Sequence, residues 1–193
     1  MERCAWVNLQ NELYVRYHDE EWGVPVHDDR KHFEMIVLEG AQAGLSWETI
    51  LKKRENYRRA FDGFDPERIA AYDDSKEQEL LGNEGIVRNR LKIKSAIRNA
   101  NVFLKIQHEF GTFDAYIWSF VNGEPVQNNI QSINEVPAKT ELSDRIAKDL
   151  KKRGMNFVGS TIIYAYMQAV GLVNDHSNDC FKKSGCKVHE SGL

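Results

Sequence analysis

The residues best suited to bind a metal ion lie near the C-terminus, in the stretch NDHSNDC at 174–180. His176 and Cys180 are four positions apart, a spacing at which two side chains of one helical turn point the same way. The first 18 residues add one cysteine and one histidine, Cys4 and His18. Structural zinc is held by four such groups. The residue types therefore predict a zinc site that joins the two ends of the chain.

An alternative stays open for the N-terminal pair. Thirteen residues separate Cys4 from His18, an unusually long gap between zinc ligands. Cys4 could be a small buried thiol, and His18 a hydrogen-bonded turn residue. If all four ligand positions are filled by protein, none is left for a substrate. The predicted site is structural, and any catalysis must come from other residues.

Aromatic side chains form a second group. Trp6, Tyr14, Tyr17 and Trp22 lie within the first 22 residues, and Trp47 follows the stretch Gly44-Leu45-Ser46. We interpret the stretch YHDEEWG as a polar loop whose rings would stack on a planar ligand such as a nucleobase. The alternative is that these rings simply pack in the core.

A lone carboxylate, Glu39, lies in the apolar helical stretch FEMIVLEGAQAGLSW. Its neighbours one helical turn away include no basic side chain: they are Met35, Ile36, Gln42 and Ala43. An unpaired acid on an apolar face costs free energy unless it is exposed or used. Glu39 is therefore either a solvent-exposed residue or a functional one.

Residues 151–171 predict two helices joined by a tight turn. Gly154 would end the first helix, and the second would begin near Gly159 and Ser160. Backbone N–H groups at a helix start bind phosphate. Basic side chains precede the turn, at Lys151, Lys152 and Arg153. The pattern is compatible with a contact to a nucleic-acid backbone, although most such turns are purely structural.

Composition favours one soluble domain over residues 1–193, with 41% hydrophobic and 28% charged residues. The net charge of −3 argues weakly against a nucleic-acid partner, but basic residues concentrate in 51–54, 85–98 and 150–154. There is no apolar signal segment and no bilayer-length apolar stretch. The three cysteines do not suggest a disulfide framework. We expect a cytoplasmic monomer without membrane contact.

Helical patterns dominate and predict an all-α fold. Predicted helices cover 30–44, a segment capped by Ser46, one that begins at Pro66, one with a Ser75–Gln78 capping box that ends at Gly82, and then 86–108, 113–121, 141–153 and 157–170. Residues 122–138 are predicted as the one long loop, and the tail after about 181 as flexible.

With these features in place, the chain resembles the 3-methyladenine DNA glycosylase I family, bacterial alkylation-repair enzymes of the helix-hairpin-helix class. The matching motifs span nearly the whole chain: MERCAWV, YHDEEWGVP, FEMIVLEGAQAGLSWETILKKRENYR, GIVRNRLKI, WSFVNG and KKRGMNFVGSTIIYAYMQAVGLVNDH, followed by Cys180. The resemblance implies an all-α helix-hairpin-helix glycosylase fold. It also implies one structural zinc ion per chain, held by Cys4, His18, His176 and Cys180.

The resemblance further implies hydrolytic removal of 3-methyladenine from double-stranded alkylated DNA, which leaves an abasic site. The base would be flipped into the aromatic pocket. Glu39 corresponds to the acid that contacts the base, and this is the one catalytic residue the resemblance suggests. Tyr17 and Trp47 correspond to the main stacking rings, with Trp6 and Trp22 as further walls. The turn at 154–160 corresponds to the hairpin that contacts the DNA backbone.

Two departures from the wider class bear on mechanism. Asn174 follows Val173 where related glycosylases have a catalytic aspartate, and Thr161 stands where bifunctional members have a Schiff-base lysine. The resemblance thus implies a monofunctional enzyme without lyase activity. Two rival classes stay open, a zinc-stapled nucleic-acid-binding module without chemistry, and a thiol hydrolase that uses Cys4 or Cys180.

Overall fold

A computed structural model describes residues 2–183, and within them the chain is mostly helical. The helices are α1 Glu12–Glu20, α2 Asp29–Gln42, α3 Trp47–Ala60, α4 Pro66–Ala70, α5 Asp74–Gly82, α6 Arg90–Phe110, α7 Phe113–Ser119, α8 Glu141–Arg153 and α9 Ser160–Ala169. The two-residue strands β1 Val126–Gln127 and β2 Val173–Asn174 pair in parallel. The prediction of a helical fold is confirmed, with this small strand pair added. The expected flexible tail and Cys186 lie outside the described residues, apart from 181–183.

Most helix starts follow their local capping signals. Ser46 accepts a hydrogen bond from the backbone N–H of Thr49, and Asp65 caps α4 with Pro66 in the first turn, both as predicted. The predicted Ser75–Gln78 capping box is wrong, because Asp73 caps α5 two residues earlier through the N–H of Lys76. The carboxylate of Asp73 offers the same kind of hydrogen-bond acceptor as the serine hydroxyl.

Other boundaries also differ from the predictions, since α2 ends at Gln42 rather than at 44 and α7 ends at Ser119 rather than at 121. The long basic helix begins at Arg90 rather than at 86, since Asn89 caps it. α9 begins at Ser160 rather than at 157, because Phe157 has a left-handed backbone with φ 52° that no helix accommodates. The segment predicted as a polar loop, YHDEEWG, instead forms the last turn of α1 and the short turn after it.

Helix α2 is the centre of the core. Every residue from 32 to 41 is buried, and the helix packs against α3, α6, α7 and α9. This burial fixes the position of Glu39 on its C-terminal half. The end of α9 is held equally tightly, because Gly171 approaches the backbone of Val24 so closely that a Cβ there would lie 2.4 Å from the Val24 carbonyl carbon. None of the described helices is long and apolar enough to cross a membrane.

Candidate functional site

The four predicted metal ligands meet in one buried cluster. The Sγ atom of Cys180 lies 3.4 Å from Nε2 of His18 and 3.5 Å from Nδ1 of His176, and Sγ of Cys4 lies 3.5 Å from the same Nδ1. All four atoms are within 4.8 Å of one another. Tetrahedral zinc places neighbouring nitrogen and sulfur ligands roughly 3.6 Å apart. The cluster therefore has the size and donor set of a metal site.

Hydrogen bonds outside the cluster orient both imidazoles. His18 donates from Nδ1 to Asp19 over 2.8 Å, and Asp19 is itself held by Arg3. His176 donates from Nε2 to the carbonyl of Trp22 over 3.0 Å. Each ring thus turns its other nitrogen to the cluster, the arrangement typical of metal-bound histidine. Such outer hydrogen bonds fix the tautomer and the orientation of a histidine that binds a metal ion.

Burial acts on the cluster's protonation. It raises the pKa of the Cys4 thiol to about 11 and lowers the pKa of His176 to about 4. Both shifts favour uncharged groups. A divalent cation would reverse the shift of the thiol, because it stabilises the thiolate directly. The residues therefore fit a metal ion, and all four are supplied by protein.

Two distant parts of the chain form this cluster. Cys4 lies in the N-terminal segment and His18 in the last turn of α1, whereas His176 and Cys180 follow β2. The two ends also meet through the backbone, where the N–H of Phe181 donates to the carbonyl of Glu2. The two segments that carry the predicted ligands therefore lie against each other in the described part of the chain.

A cavity of about 240 Å³ opens beside the cluster. All five residues predicted to contact a base line it: Trp6, Tyr17, Trp22, Glu39 and Trp47. The lining also includes Tyr14, a member of the aromatic group in the sequence, and residues that the sequence reasoning did not assign to the site, namely Gln42, Ile133, Val136, Ala165 and Gln168. These last five come from three separate segments, so no local pattern could have found them together.

The aromatic rings of the cavity are packed against one another and against the cluster. The Trp6 ring meets that of Trp22 edge to face at 4.9 Å, and the rings of Tyr17 and Trp47 lie 5.3 Å apart. Trp6 also contacts His18 at 5.3 Å, and Trp22 contacts His176 at 4.7 Å. The metal cluster therefore supports one wall of the cavity.

Three buried polar atoms of the described residues lack a hydrogen-bond partner, and all three belong to the cavity lining. They are Oε2 of Glu39 and the indole nitrogens of Trp6 and Trp47. Leaving such a group unpaired costs roughly 1–3 kcal/mol. A ligand with both donors and acceptors would satisfy them. Their concentration at one cavity is the strongest sign that it binds a polar ligand.

Glu39 is buried rather than exposed, with 4% of its surface accessible. Desolvation raises the pKa of its carboxyl to about 8, and no basic group offsets that burial. Burial also raises the pKa of Tyr17, and the charge of Glu39 adds to the effect. The exposed alternative for Glu39 is therefore excluded, and a cation in the cavity would favour the ionised carboxylate.

The predicted hairpin residues lie at the α8–α9 turn. Gly154 ends α8 with φ 108°, and no side chain caps the N-terminus of α9 after Gly159. Lys151 and Lys152 are exposed. Arg153 is not a free cation, because it donates to Glu109 and Asp149 at 2.6 Å each.

The turn between these helices is fastened to the rest of the fold. Asn99 of α6 exchanges two hydrogen bonds of 2.8 Å with the backbone of Asn156, and Arg98 donates to the carbonyl of Gly154. Phe157 packs on Gly40, the residue after Glu39, with 3.4 Å between the Phe157 Cβ and an ideal Cβ at Gly40. Ser160 hydrogen-bonds Ser143 of α8 at 2.8 Å. The hairpin is rigid and lies next to the helix that carries the cavity acid.

Comparison with known proteins agrees with this geometry. Residues 6–183 match the family profile described as methyladenine glycosylase. An Escherichia coli protein, DNA-3-methyladenine glycosylase 1, is 51% identical over 180 residues, covering 93% of this chain and 96% of that protein. A crystal structure of 3-methyladenine DNA glycosylase I has 54% identity and a TM-score of 0.90, covering 93% of this chain and 98% of that one. Another, a tyrosine-to-phenylalanine variant in complex with 3-methyladenine, has 34% identity and a TM-score of 0.91, covering 95% and 98%.

Proposed function

Because the chain belongs to the methyladenine glycosylase family, we propose that it excises 3-methyladenine from alkylated double-stranded DNA by hydrolysing the N-glycosidic bond. The observation that carries this proposal is the aromatic cavity with its three unpaired buried polar atoms. Adenine has an amino donor flanked by ring-nitrogen acceptors. A carboxylate oxygen and two indole N–H groups complement that pattern, and the rings around them provide stacking faces.

The positive charge of the alkylated base explains why the carboxylic acid of Glu39 lines the cavity. Methylation at N3 makes the base in DNA a cation, which weakens its glycosidic bond and strengthens its attraction to electron-rich rings. An unpaired, desolvated Glu39 carboxylate favours that cation more than it favours a neutral base. A flipped base would therefore be selected by charge as well as by shape. Glu39 acts on the base itself, with Tyr17 and Trp47 as stacking rings and Trp6 and Trp22 as further walls.

The cluster of Cys4, His18, His176 and Cys180 is proposed to hold one structural zinc ion. Its two thiols and two imidazoles are a standard zinc ligand set. When bound, the ion supplies cross-linking rather than reaction chemistry, since four protein ligands leave no open position. A thiol hydrolase that uses Cys4 or Cys180 has no support from this geometry, because both sulfurs are buried and neither cysteine lines the aromatic cavity.

DNA binding is assigned to the hairpin, in line with a helix-hairpin-helix origin for the fold. The uncapped start of α9 at Gly159 and Ser160 offers backbone N–H groups to a phosphate. Lys151 and Lys152 add mobile positive charge, and Gly154 provides the tight end of α8. Arg153 contributes to the local field, while its own side chain is held by two acids.

The enzyme is proposed to be monofunctional and to act as a monomer. A lyase needs an amine at the sugar, and the position that holds it in bifunctional relatives is the exposed Thr161. The position of the usual catalytic aspartate is Asn174, whose side chain donates to Gln127. No general base is therefore assigned near the sugar, and the lability of the cationic base carries much of the reaction.

The direct test is incubation with DNA treated with a methylating agent, followed by chromatography of the released bases. We expect free 3-methyladenine and unbroken strands that contain abasic sites. A borohydride-trapped covalent DNA complex would contradict the monofunctional assignment. Binding to DNA without release of any methylated base would instead support a nucleic-acid-binding module without chemistry.

A further inference from the structure

Two amide side chains line the base cavity, and they differ in how they are held. Gln42 makes no side-chain hydrogen bond within residues 2–183, so it can turn either a donor or an acceptor to a ligand. Gln168 of α9 is fixed, because its Nε2 donates to Oδ2 of Asp175 over 2.8 Å. A fixed amide presents one defined polarity, and this makes Gln168 the one that can discriminate between ligands.

Asp175 is the residue that sets this polarity. It is buried, and its carboxylate accepts from Nδ2 of Asn128 at 2.6 Å, from the hydroxyl of Tyr164 at 2.6 Å and from Gln168. The contact from Gln168 is made through Nε2, so the amide turns its NH₂ group to Asp175. The Oε1 atom of Gln168 is left without a partner among the described residues.

We propose that Gln168 is a specificity-determining residue whose amide oxygen, oriented by Asp175, accepts a hydrogen bond from the amino group of the flipped base. This inference rests on the proposed function, since it names which methylated purine the cavity prefers. Adenine has an amino donor at the six position, where guanine has a carbonyl acceptor. A fixed amide oxygen attracts the first and repels the second. Asp175 is a positioning residue and does not touch the base.

The test compares two bases released in one reaction. Methylated DNA contains both 3-methyladenine and 3-methylguanine, and chromatography gives the ratio of their release rates. We expect Gln168→Met to lower that ratio about two- to tenfold, the worth of one neutral hydrogen bond. Asp175→Asn should lower it by less, because the amide is then no longer held in one orientation. The ratio does not depend on the folded fraction of enzyme, so a stability loss alone leaves it unchanged.

Gln107→Met is the matched control. Gln107 also donates its amide nitrogen to a carboxylate, Asp29, at 2.6 Å, but it does not line the cavity. Its substitution should leave the ratio at the wild-type value. An unchanged ratio in Gln168→Met, or an equal fall of both rates, would overturn the role of Gln168 while the proposed function stands. A wild-type enzyme that releases no 3-methyladenine would overturn the proposed function itself.

Discussion

Glu39 illustrates how burial gives a single side chain its chemistry. The same carboxylate on an exposed helix face would be ionised, solvated and indifferent to the base. Here desolvation raises its pKa to about 8, and its Oε2 atom has no partner within the described chain. Both features are unfavourable for folding and favourable for binding a cationic ligand, which is a common conflict at active sites.

Replacement of Glu39 by glutamine tests the charge directly. The variant keeps the shape and one acceptor but removes the negative charge and adds an NH₂ group. A charge-assisted hydrogen bond contributes about 1.5–3 kcal/mol, so we expect excision of 3-methyladenine to fall roughly 10- to 100-fold. Metal content and binding to undamaged DNA should stay at wild-type values. Near-normal excision by a folded variant would show that the cavity selects by shape alone.

The same substitution should also change stability in a pH-dependent way. The pKa of Glu39 is about 8 in the folded protein, against about 4.3 in an unfolded chain. The folded state therefore binds more protons between these values, and its stability falls as the pH rises toward 8. We expect Glu39→Gln to melt above the wild type at pH 8 and closer to it at pH 5. Parallel melting curves at both pH values would show that the acid is not desolvated.

At the scale of elements, the α8–α9 hairpin would connect the proposed DNA contact to the cavity. Helix α9 begins at the proposed phosphate contact and carries Ala165 and Gln168 into the cavity wall. At 1.5 Å per residue, Gln168 lies about 12 Å from the helix start. A phosphate bound at the start of α9 would therefore set the position at which a flipped base meets the C-terminal part of the same helix. The bonds from α6 to the turn keep this distance fixed.

Replacing the hairpin lysines should weaken DNA binding without changing specificity. Lys151→Gln with Lys152→Gln removes two exposed charges, so affinity for damaged and undamaged duplexes should fall equally. The salt dependence should flatten by about 0.9 per lost phosphate contact. Arg153→Gln is the comparison, because its charge is held by Glu109 and Asp149. The Arg153→Gln variant should lower the melting temperature and leave the salt slope close to that of the wild type. An unaltered slope in the double lysine variant would place the phosphate contacts elsewhere.

Sequence reasoning succeeded where the deciding contacts are local. The bounds of α8 were predicted as observed, since Thr140 caps its start and Gly154 its end. The four residues that meet in the buried cluster were predicted together because few residue types bind zinc. By contrast, the last turn of α1 was interpreted as part of a polar loop, because polar residues dominate the stretch YHDEEWG. The pairing of Arg153 depends on a residue 44 positions away. Gln168 has no motif of its own, and only packing places it in the cavity.

At the scale of the whole molecule, the cluster of two cysteines and two histidines brings two distant segments of the chain together and contacts the cavity rings. Its ligands lie at both ends of the described chain, so the ion would close a loop of more than 170 residues between Cys4 and His176. The two histidines also contact cavity rings in edge-to-face arrangements, His18 with Trp6 and His176 with Trp22. Loss of the ion should therefore disturb stability and base binding together.

Removing the metal should show this coupling. Cys180→Ser should lose zinc, and the melting temperature should fall by roughly 10 °C, since closing a loop of this length contributes about 3–5 kcal/mol. Tryptophan fluorescence should change and affinity for free 3-methyladenine should drop, because Trp6 and Trp22 lose their support. Cys186→Ser is the matched control, because the four proposed ligands do not include Cys186, and it should keep one zinc and the wild-type melting temperature. A metal-free protein that melts with the holo form would mean that the ion does not hold the two ends together. Unchanged affinity for the base despite a lower melting temperature would show that the ion stabilises the chain without supporting the cavity. Packing of the aromatic rings on one another would then be enough to hold the cavity wall.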